Sequence, residues 1–261
     1  MKPRLWMTAL ALLSLLMTHF AQAEDTPAIK DARCYELRTY HAAPGKLDAL
    51  LERFRQHTTA LFEKHGMTNV GYWTPVENPG RQIIYILSYP DRAAREASWR
   101  AFSTDPQWNA VAKASEANGK LVEKVESRFL AVTDFSPVVK PEASKTSRLY
   151  ELRTYTTEPG RLPNLLARFR EHTVGLFSKH GMAHFGYWTP APKEPGAENT
   201  LIYLLIHDSA AAQAESFKAF RADPEWVKVR TASEAAAGGS LTIPDGVTSL
   251  LLTPTDFSPA R

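Results

Sequence analysis

The chain has 261 residues, a formal net charge of +3 and one cysteine, Cys34. A single cysteine excludes an internal disulfide, so we expect Cys34 to be buried and inert, with pairing to a second molecule as the alternative. Lysine and arginine form no run interleaved with aromatic residues, and we therefore expect no nucleic-acid partner.

The first 23 residues have the pattern of a secretory signal peptide. Lys2 and Arg4 precede a mostly apolar run that ends at Phe20, and Ala21 and Ala23 provide a small-x-small cleavage site. The run is too short and too interrupted to span a membrane, which takes about 20 apolar residues. An uncleaved anchor is the alternative. Cleavage removes two cations and lowers the net charge from +3 to +1. The signal peptide predicts a periplasmic or secreted protein that has no membrane span after cleavage.

The rest of the chain is a tandem repeat. Residues 35–75 and 150–190 align without a gap and share 27 of 41 positions, including the hexapeptide YELRTY at the start of both. The repeat continues through an Asp-Pro-x-Trp turn to the closing motif TDFSP, at residues 133–137 and 255–259. A unit of about 110 residues has therefore been duplicated. We assign the domains to residues 34–137 and 148–259, with residues 138–147 as a linker.

Each unit is predicted to have the order β-α-β-β-α-β. In the first unit we expect a strand at 35–40, a helix at 46–65, a hairpin of strands at 68–74 and 82–89, helical pieces at 91–102 and 106–118, and a last strand at 121–132. The strands show period-two alternation, and the first helix carries an apolar stripe with a period of 3.6 residues that ends at Gly66. This order is the ferredoxin-like motif.

A four-stranded sheet with both helices on one face leaves its other face bare, and the second unit is the expected cover. The predicted fold class is α+β, with two fused ferredoxin-like domains that form a pseudo-dimeric α+β barrel. Glu36 and Arg38 lie on the strand face opposite Leu37, as do Glu151 and Arg153 in the second unit. We expect these charges either to pair across the interface between the halves or to be solvated at a strand edge.

These motifs resemble those of the NIPSNAP family: YELRTY-x3-PG, RFR-x-HT, KHGM, GYWTP, Asp-Pro-x-Trp and TDFSP occur in both repeats. The resemblance implies a dimeric α+β barrel, here as two NIPSNAP domains fused in one chain. That superfamily also contains cofactor-free monooxygenases and haem enzymes of the chlorite-dismutase type. The family itself has no settled reaction. Its eukaryotic members resemble mitochondrial or vesicle-associated interaction proteins, and the signal peptide departs from that setting.

Two histidines recur in the first helix of each unit, one near the centre of the apolar stripe and one at its edge. On a helical wheel His57 lies about 60° from Phe54, so we expect it and His172 to face the sheet, either as satisfied core histidines or as pocket groups. His65 and His180 lie in the last helical turn, where a structural role is expected. His57 and His65 are about 12 Å apart along the helix axis, too far to share a metal ion, and no metal site is predicted.

The ligand-binding candidates are therefore His57 with Tyr85 and Trp73, and His172 with Tyr203 and Trp188. The first hypothesis is a small hydrophobic or aromatic ligand bound in a helix–sheet pocket, with oxygenase-like or haem chemistry as an extension. We expect no cofactor, and haem is the alternative. The second hypothesis is a non-catalytic protein-interaction module. A cavity that touches His57 favours the first, and a filled interior favours the second. Further association into a homo-oligomer is also an expectation.

Overall fold

The computed structural model describes residues 31–144 and 148–261. The expected signal peptide and residues 145–147 of the expected linker lie outside this part of the chain. The first half consists of β1 (Cys34–Ala42), α1 (Leu47–Arg53), a π-helical turn (Phe54–Thr58), α2 (Thr59–Lys64), β2 (Thr68–Pro75), β3 (Gln82–Tyr89), α3 (Arg92–Thr104), α4 (Pro106–Ser115) and β4 (Val122–Val132). These elements occur in the predicted order.

The second half repeats the arrangement. It consists of β5 (Leu149–Thr157), α5 (Leu162–Arg168), a π-helical turn (Phe169–Thr173), α6 (Val174–Lys179), β6 (Ala183–Pro190), β7 (Thr200–His207), α7 (Ala210–Ala222), α8 (Pro224–Ala236) and β8 (Thr242–Pro254). No helix in the described ranges is both long enough and apolar enough to cross a membrane.

The eight strands form one closed barrel in the order β1-β3-β2-β8-β5-β7-β6-β4. Strands pair antiparallel within each half, and short ladders join the halves: residues 73–75 pair with 252–254, and residues 130–132 pair with 188–190. The predicted pseudo-dimeric α+β barrel is therefore confirmed. The bare face of each sheet is covered by the sheet of the other half, because burial of apolar surface requires a second layer.

Large aromatic side chains fill the barrel interior. Trp73 and Trp188 are fully buried, and Tyr150 and Phe185 pack against the Trp73 ring with centroids 5.3 and 5.8 Å away. The Trp73 ring lies across Gly71, where an added Cβ would be only 2.2 Å from a ring carbon. Glycine is therefore required at this strand position so that the ring can pack against the backbone.

The helices cover the outer face of each sheet through a second aromatic layer. In the first half Phe54 packs against Tyr72 and Tyr85 with centroid distances of 5.7 and 5.3 Å, and Phe62 lies 6.3 Å from Tyr85. All four side chains are buried. Ring pairs at these distances add to the stabilisation from apolar burial, so each half has a filled helix–sheet layer.

The two TDFSP segments are exchanged between the halves. Phe257, from the end of the second half, stacks on Phe54 of the first half with centroids 6.4 Å apart. Phe135, from the end of the first half, lies 6.3 Å from Phe169 of the second. Beside Phe257, Asp256 accepts two hydrogen bonds from the guanidinium of Arg55 in the first half. The repeated motif thus completes the layer of the opposite half.

Cys34 begins β1 and is half-buried rather than buried. Burial raises the pKa of its thiol, so the reactive thiolate is disfavoured near neutral pH.

Candidate functional site

A π-helical turn interrupts the first helix of each half directly after an arginine. The hydroxyl of Thr58 donates to the carbonyl oxygen of Arg53 at 3.1 Å, and Thr173 does the same to Arg168 at 3.1 Å. These side-chain bonds accompany the backbone i to i+5 bonds of the turns, from the N–H of Thr59 to Phe54 and from that of Val174 to Phe169. Such turns inside α-helices often mark functional sites. The repeated RFR-x-HT motif therefore encodes a local widening of the helix.

The widening changes the face on which the histidines lie. The expectation that His57 and His172 face the sheet is wrong: both are exposed, the His172 side chain by 43%. A π-turn advances each residue by less than the 100° of an α-helix, so His57 falls farther from Phe54 and Thr58 takes the inward position.

The six predicted site residues are not brought together. Tyr85 and Tyr203 are buried in the helix–sheet layers, whereas Trp73 and Trp188 belong to the barrel interior on the opposite face of the sheet. The two histidines lie outside both cores. A ligand that contacts the histidines would therefore lie at the outer surface of the helices, away from the tyrosines and tryptophans.

The histidines line two surface grooves at equivalent positions. The first groove, about 550 Å³ in volume, runs between the α1 helix with its π-turn and α4, and it contains His57. The second, about 480 Å³, runs between α5 with its π-turn and α8, and it contains His172. Both volumes lie in the range of small-molecule sites. Alanine and one valine (Val111 or Val229) form the apolar part of the α4 and α8 walls, and the α8 wall also carries Glu225 and Lys228.

A buried arginine lines each groove. Arg53 and Arg168 are each 7% exposed, and their guanidinium carbons lie 5.3 Å and 5.1 Å from the ring centroids of Trp108 and Trp226. Arginine stacked on an aromatic ring is held in place while its N–H groups stay available for polar partners. The tryptophans are the last residues of the repeated Asp-Pro-x-Trp turns, so this motif builds the support of the arginine.

The aspartate of the same turn anchors the helix that carries the tryptophan. Asp105 caps α4 by accepting from the backbone N–H of Gln107 at 2.8 Å, and its other oxygen accepts from Lys64 and His65, each at 2.7 Å. The hydrogen bonds from Lys64 and His65 hold the pKa of Asp105 well below its usual range. His65 therefore has the predicted structural role, and His180 repeats it with Asp223 at 2.7 Å.

The polar groups of the two arginines are incompletely satisfied. Nη1 of Arg53 bonds to Glu116 at 3.2 Å, and Nη1 of Arg168 bonds to Ser233 at 3.3 Å. Nε of each arginine is buried and has no hydrogen-bond partner among the described residues. Arg53 also lines a cavity of about 40 Å³ between the helices and the sheet, large enough for a water molecule. A buried polar group without a partner is costly.

A second polar cluster lies between helices and sheet, and it corrects the expectation for the strand charges. Glu36 is fully buried on the helix side of β1 and pairs within its own half, with Arg38 and with Arg95 at 2.8 Å. The pair neither crosses the interface between the halves nor lies at a solvated edge. Glu151 repeats this with Arg153 at 2.5 Å and His207 at 3.0 Å.

These carboxylates are poor candidates for proton transfer. Burial alone raises the pKa of Glu36, but hydrogen bonding from Arg95 and the charge of Arg38 outweigh it and lower the pKa to about 2. Glu151 is lowered to about 2 because the hydrogen bond from His207 and the charge of Arg153 outweigh its burial. A general base works best with a pKa near the operating pH, so both glutamates are suited to structural pairing.

The surroundings of the histidines do not fit a metal ion or a haem. Within residues 31–144 and 148–261, no group of three His, Cys, Asp or Glu side chains is placed to hold a metal ion. His57 and His172 stand at open grooves on the outer surface of the helices, whereas the function of a haem depends on a pocket that controls access and polarity around the iron.

The sequence patterns pointed to the histidines and missed the arginines. Arg53 precedes the inward-facing Phe54 and looks like part of a solvated helix face, as Arg55 does; Arg55 is indeed exposed. A signal was present in the repeat of Trp108 as Trp226, because a large ring near the start of a helix needs neighbours to pack against. One face of each ring meets Phe102 or Phe220, with centroids 4.4 Å apart, and the arginine is its second partner.

Comparison with known proteins places the chain in a family. The family model named NIPSNAP matches residues 35–137 and 150–259. The human protein NipSnap homolog 3A is 29% identical over 240 residues, which cover 90% of this chain and 89% of that protein. A NipSnap homolog from Dictyostelium discoideum is 27% identical over 199 residues, with 75% and 79% of the two chains covered.

Solved structures show the same fold at low sequence identity. A putative monooxygenase from Fusobacterium nucleatum superposes with a TM-score of 0.57 at 10% identity, and the match covers 86% of this chain and 93% of that one. At this identity the likeness concerns the fold alone. The family model, in contrast, covers both halves of the sequence. The chain belongs to the NIPSNAP family and carries two NIPSNAP domains in one polypeptide.

Proposed function

We propose that this protein is an exported binding protein that holds a small, largely apolar ligand in the groove between the first and last helices of each half. The observation that carries the proposal is the repetition of one arrangement: a groove of about 500 Å³ with an apolar strip of alanine and valine on its last helix and a buried, incompletely bonded arginine. Pockets that bind small molecules combine apolar walls with a few placed polar groups in this way.

The filled interior supports binding at the outer surface rather than catalysis inside. The barrel and both helix–sheet layers are packed with aromatic side chains, and the buried glutamates have pKa values of about 2. A non-catalytic protein-interaction role is the second candidate, and it is favoured by the same filled interior. In that case the partner would lie on the helical exterior rather than in the two grooves.

The experiment that tests the proposal uses Nile red, a neutral apolar dye whose fluorescence rises in apolar sites. Ala114→Trp together with Ala232→Trp fills both grooves from exposed positions of α4 and α8. Ala93→Trp with Ala211→Trp adds the same rings at exposed positions of α3 and α7 and is the matched control. We expect two dye molecules per chain for the wild type and the control, and loss of binding in the filled variant. Equal dye binding by all three proteins would overturn the proposal.

A further inference from the structure

We propose that the groove of the second half recognises a carboxylate group through Arg168, so that its ligand is an amphipathic monocarboxylate. The inference rests on the proposed function and adds the chemical class of the ligand. The apolar part of the ligand would lie along the α8 wall formed by Val229, Ala232 and Ala236.

Arg168 is a buried cation without a close counter-ion. It is 7% exposed, the nearest carboxylate oxygen, on Glu234, lies 3.9 Å from Nη1, and Nε has no partner among the described residues. Burial lowers the pKa of Arg168 because its charge is removed from water without full compensation. A buried charge is costly unless it is paired. An anion that enters the groove would supply the missing pair.

The first half provides a comparison within the same molecule. Arg53, at the equivalent position, has Glu116 at 3.2 Å from Nη1, within hydrogen-bond distance. Its charge is therefore compensated more closely by the protein itself. The equivalent glutamate in the second half, Glu234, stands 3.9 Å from the arginine. Of the two grooves, the second is the one with room for an external carboxylate.

The shape and charge of the groove select the ligand class. A guanidinium offers parallel N–H groups that match the two oxygens of a carboxylate, and Lys228 adds a second cation to the wall. Glu171 and Glu225 also line this groove, so a headgroup with two negative charges would meet repulsion. These features favour a singly charged carboxylate over a phosphate ester.

The inference is tested by calorimetry at neutral pH with decanoate, decan-1-ol and decyl phosphate. We expect the wild type to bind decanoate about tenfold more tightly than decan-1-ol, a difference of about 1.4 kcal/mol, and more tightly than decyl phosphate. Arg168→Met keeps the length of the side chain without its charge and should abolish the preference for decanoate. Arg221→Met, at an exposed position of α7 outside the groove, should retain it.

A variant that is expected to strengthen binding gives a result that loss of the fold could not produce. Glu234→Gln removes the weak internal counter-charge of Arg168 from a partly exposed position, and we expect it to increase the preference for decanoate by two- to threefold. Equal binding of decanoate and decan-1-ol by the wild type and Arg168→Met would overturn the carboxylate site while leaving the groove as a binding site. Tighter binding of decyl phosphate would overturn the ligand class. If none of the three compounds binds and Nile red does not bind either, the proposed function itself is overturned.

Discussion

The hydroxyl of Ser258 accepts a hydrogen bond from the backbone N–H of Tyr72 at 2.9 Å, although 186 residues separate them in sequence. Ser136 accepts from the N–H of Tyr187 at 3.0 Å in the same way. Each serine belongs to the TDFSP segment of one half and accepts its hydrogen bond from the second strand of the other. The two halves are therefore joined by exchanged segments as well as by the strand ladders of the barrel.

Replacement of these serines should weaken the association of the halves. Ser258→Ala and Ser136→Ala each leave a buried tyrosine N–H without its partner, which costs about 1–3 kcal/mol. We expect the free energy of unfolding, measured by guanidinium denaturation, to fall by that amount for each variant. Ser103→Ala, at an exposed position of α3, is the control and should change it little. Stability equal to that of the control would show that the exchanged segments contribute nothing.

The tryptophans of the barrel interior depend on glycine. Gly71→Ala and Gly186→Ala would place a Cβ 2.2 Å and 2.4 Å from the rings of Trp73 and Trp188. Overpacking of a filled core costs about 1–3 kcal/mol, so we expect lower melting temperatures and altered tryptophan fluorescence.

The same substitution at Gly175 should act in the opposite direction. This glycine lies in α6, and an added Cβ would meet no described atom within 4 Å. Alanine is favoured over glycine inside a helix by about 1 kcal/mol, so Gly175→Ala should raise the melting temperature slightly. If Gly71→Ala and Gly175→Ala shifted it equally, the close packing of Trp73 would be refuted.

The buried glutamates predict a loss of stability in acid. The pKa of Glu151 is lowered from 4.5 to about 2 in the folded protein, so its stabilisation is fully present above about pH 4.5 and is lost as the pH falls toward 2. A shift of this size corresponds to on the order of 3 kcal/mol. We expect the free energy of unfolding to fall across this pH range.

A substitution distinguishes the contribution of Glu151 to this pH dependence from that of the other acidic groups. Glu151→Gln removes the charge that compensates Arg153, and we expect it to destabilise the protein at pH 7 by about 3–5 kcal/mol and to flatten the pH dependence between 4.5 and 2. Glu215→Gln, which alters a carboxylate that is 75% exposed, is the control. Urea denaturation at a series of pH values measures the stability at pH 7 and its change with pH. If the stability of Glu151→Gln fell between pH 4.5 and 2 as steeply as that of the control, Glu151 would not be the group that titrates.

We predict cleavage of the chain after Ala23 on export. The basic start, the apolar run and the small residues at positions 21 and 23 carry this prediction. Intact-mass measurement of the protein from the periplasm or the culture medium should show a chain that begins at Glu24. A full-length chain recovered from the cytoplasm would contradict it.

The order of the elements could be predicted from the sequence because the signals are local. The alternation of YELRTY, the 3.6-residue stripe before Gly66 and the Asp-Pro start of α4 each depend on neighbours within a few positions. The duplication predicted the barrel as well, since a repeated half-covered sheet supplies its own cover. The family resemblance was carried by the same motifs.

The tertiary structure alone decided which face each polar group occupies. Alternation places Glu36 and Arg38 on one side of β1, but both sides of this strand are buried, one by helices and one by the opposite sheet, so period two cannot distinguish them. His57 turned outward because the π-turn, with its backbone hydrogen bond from Thr59 to Phe54, widened the helix. Arg53 and Arg168 became candidate site residues only once Trp108 and Trp226, more than 50 residues away in sequence, packed against them.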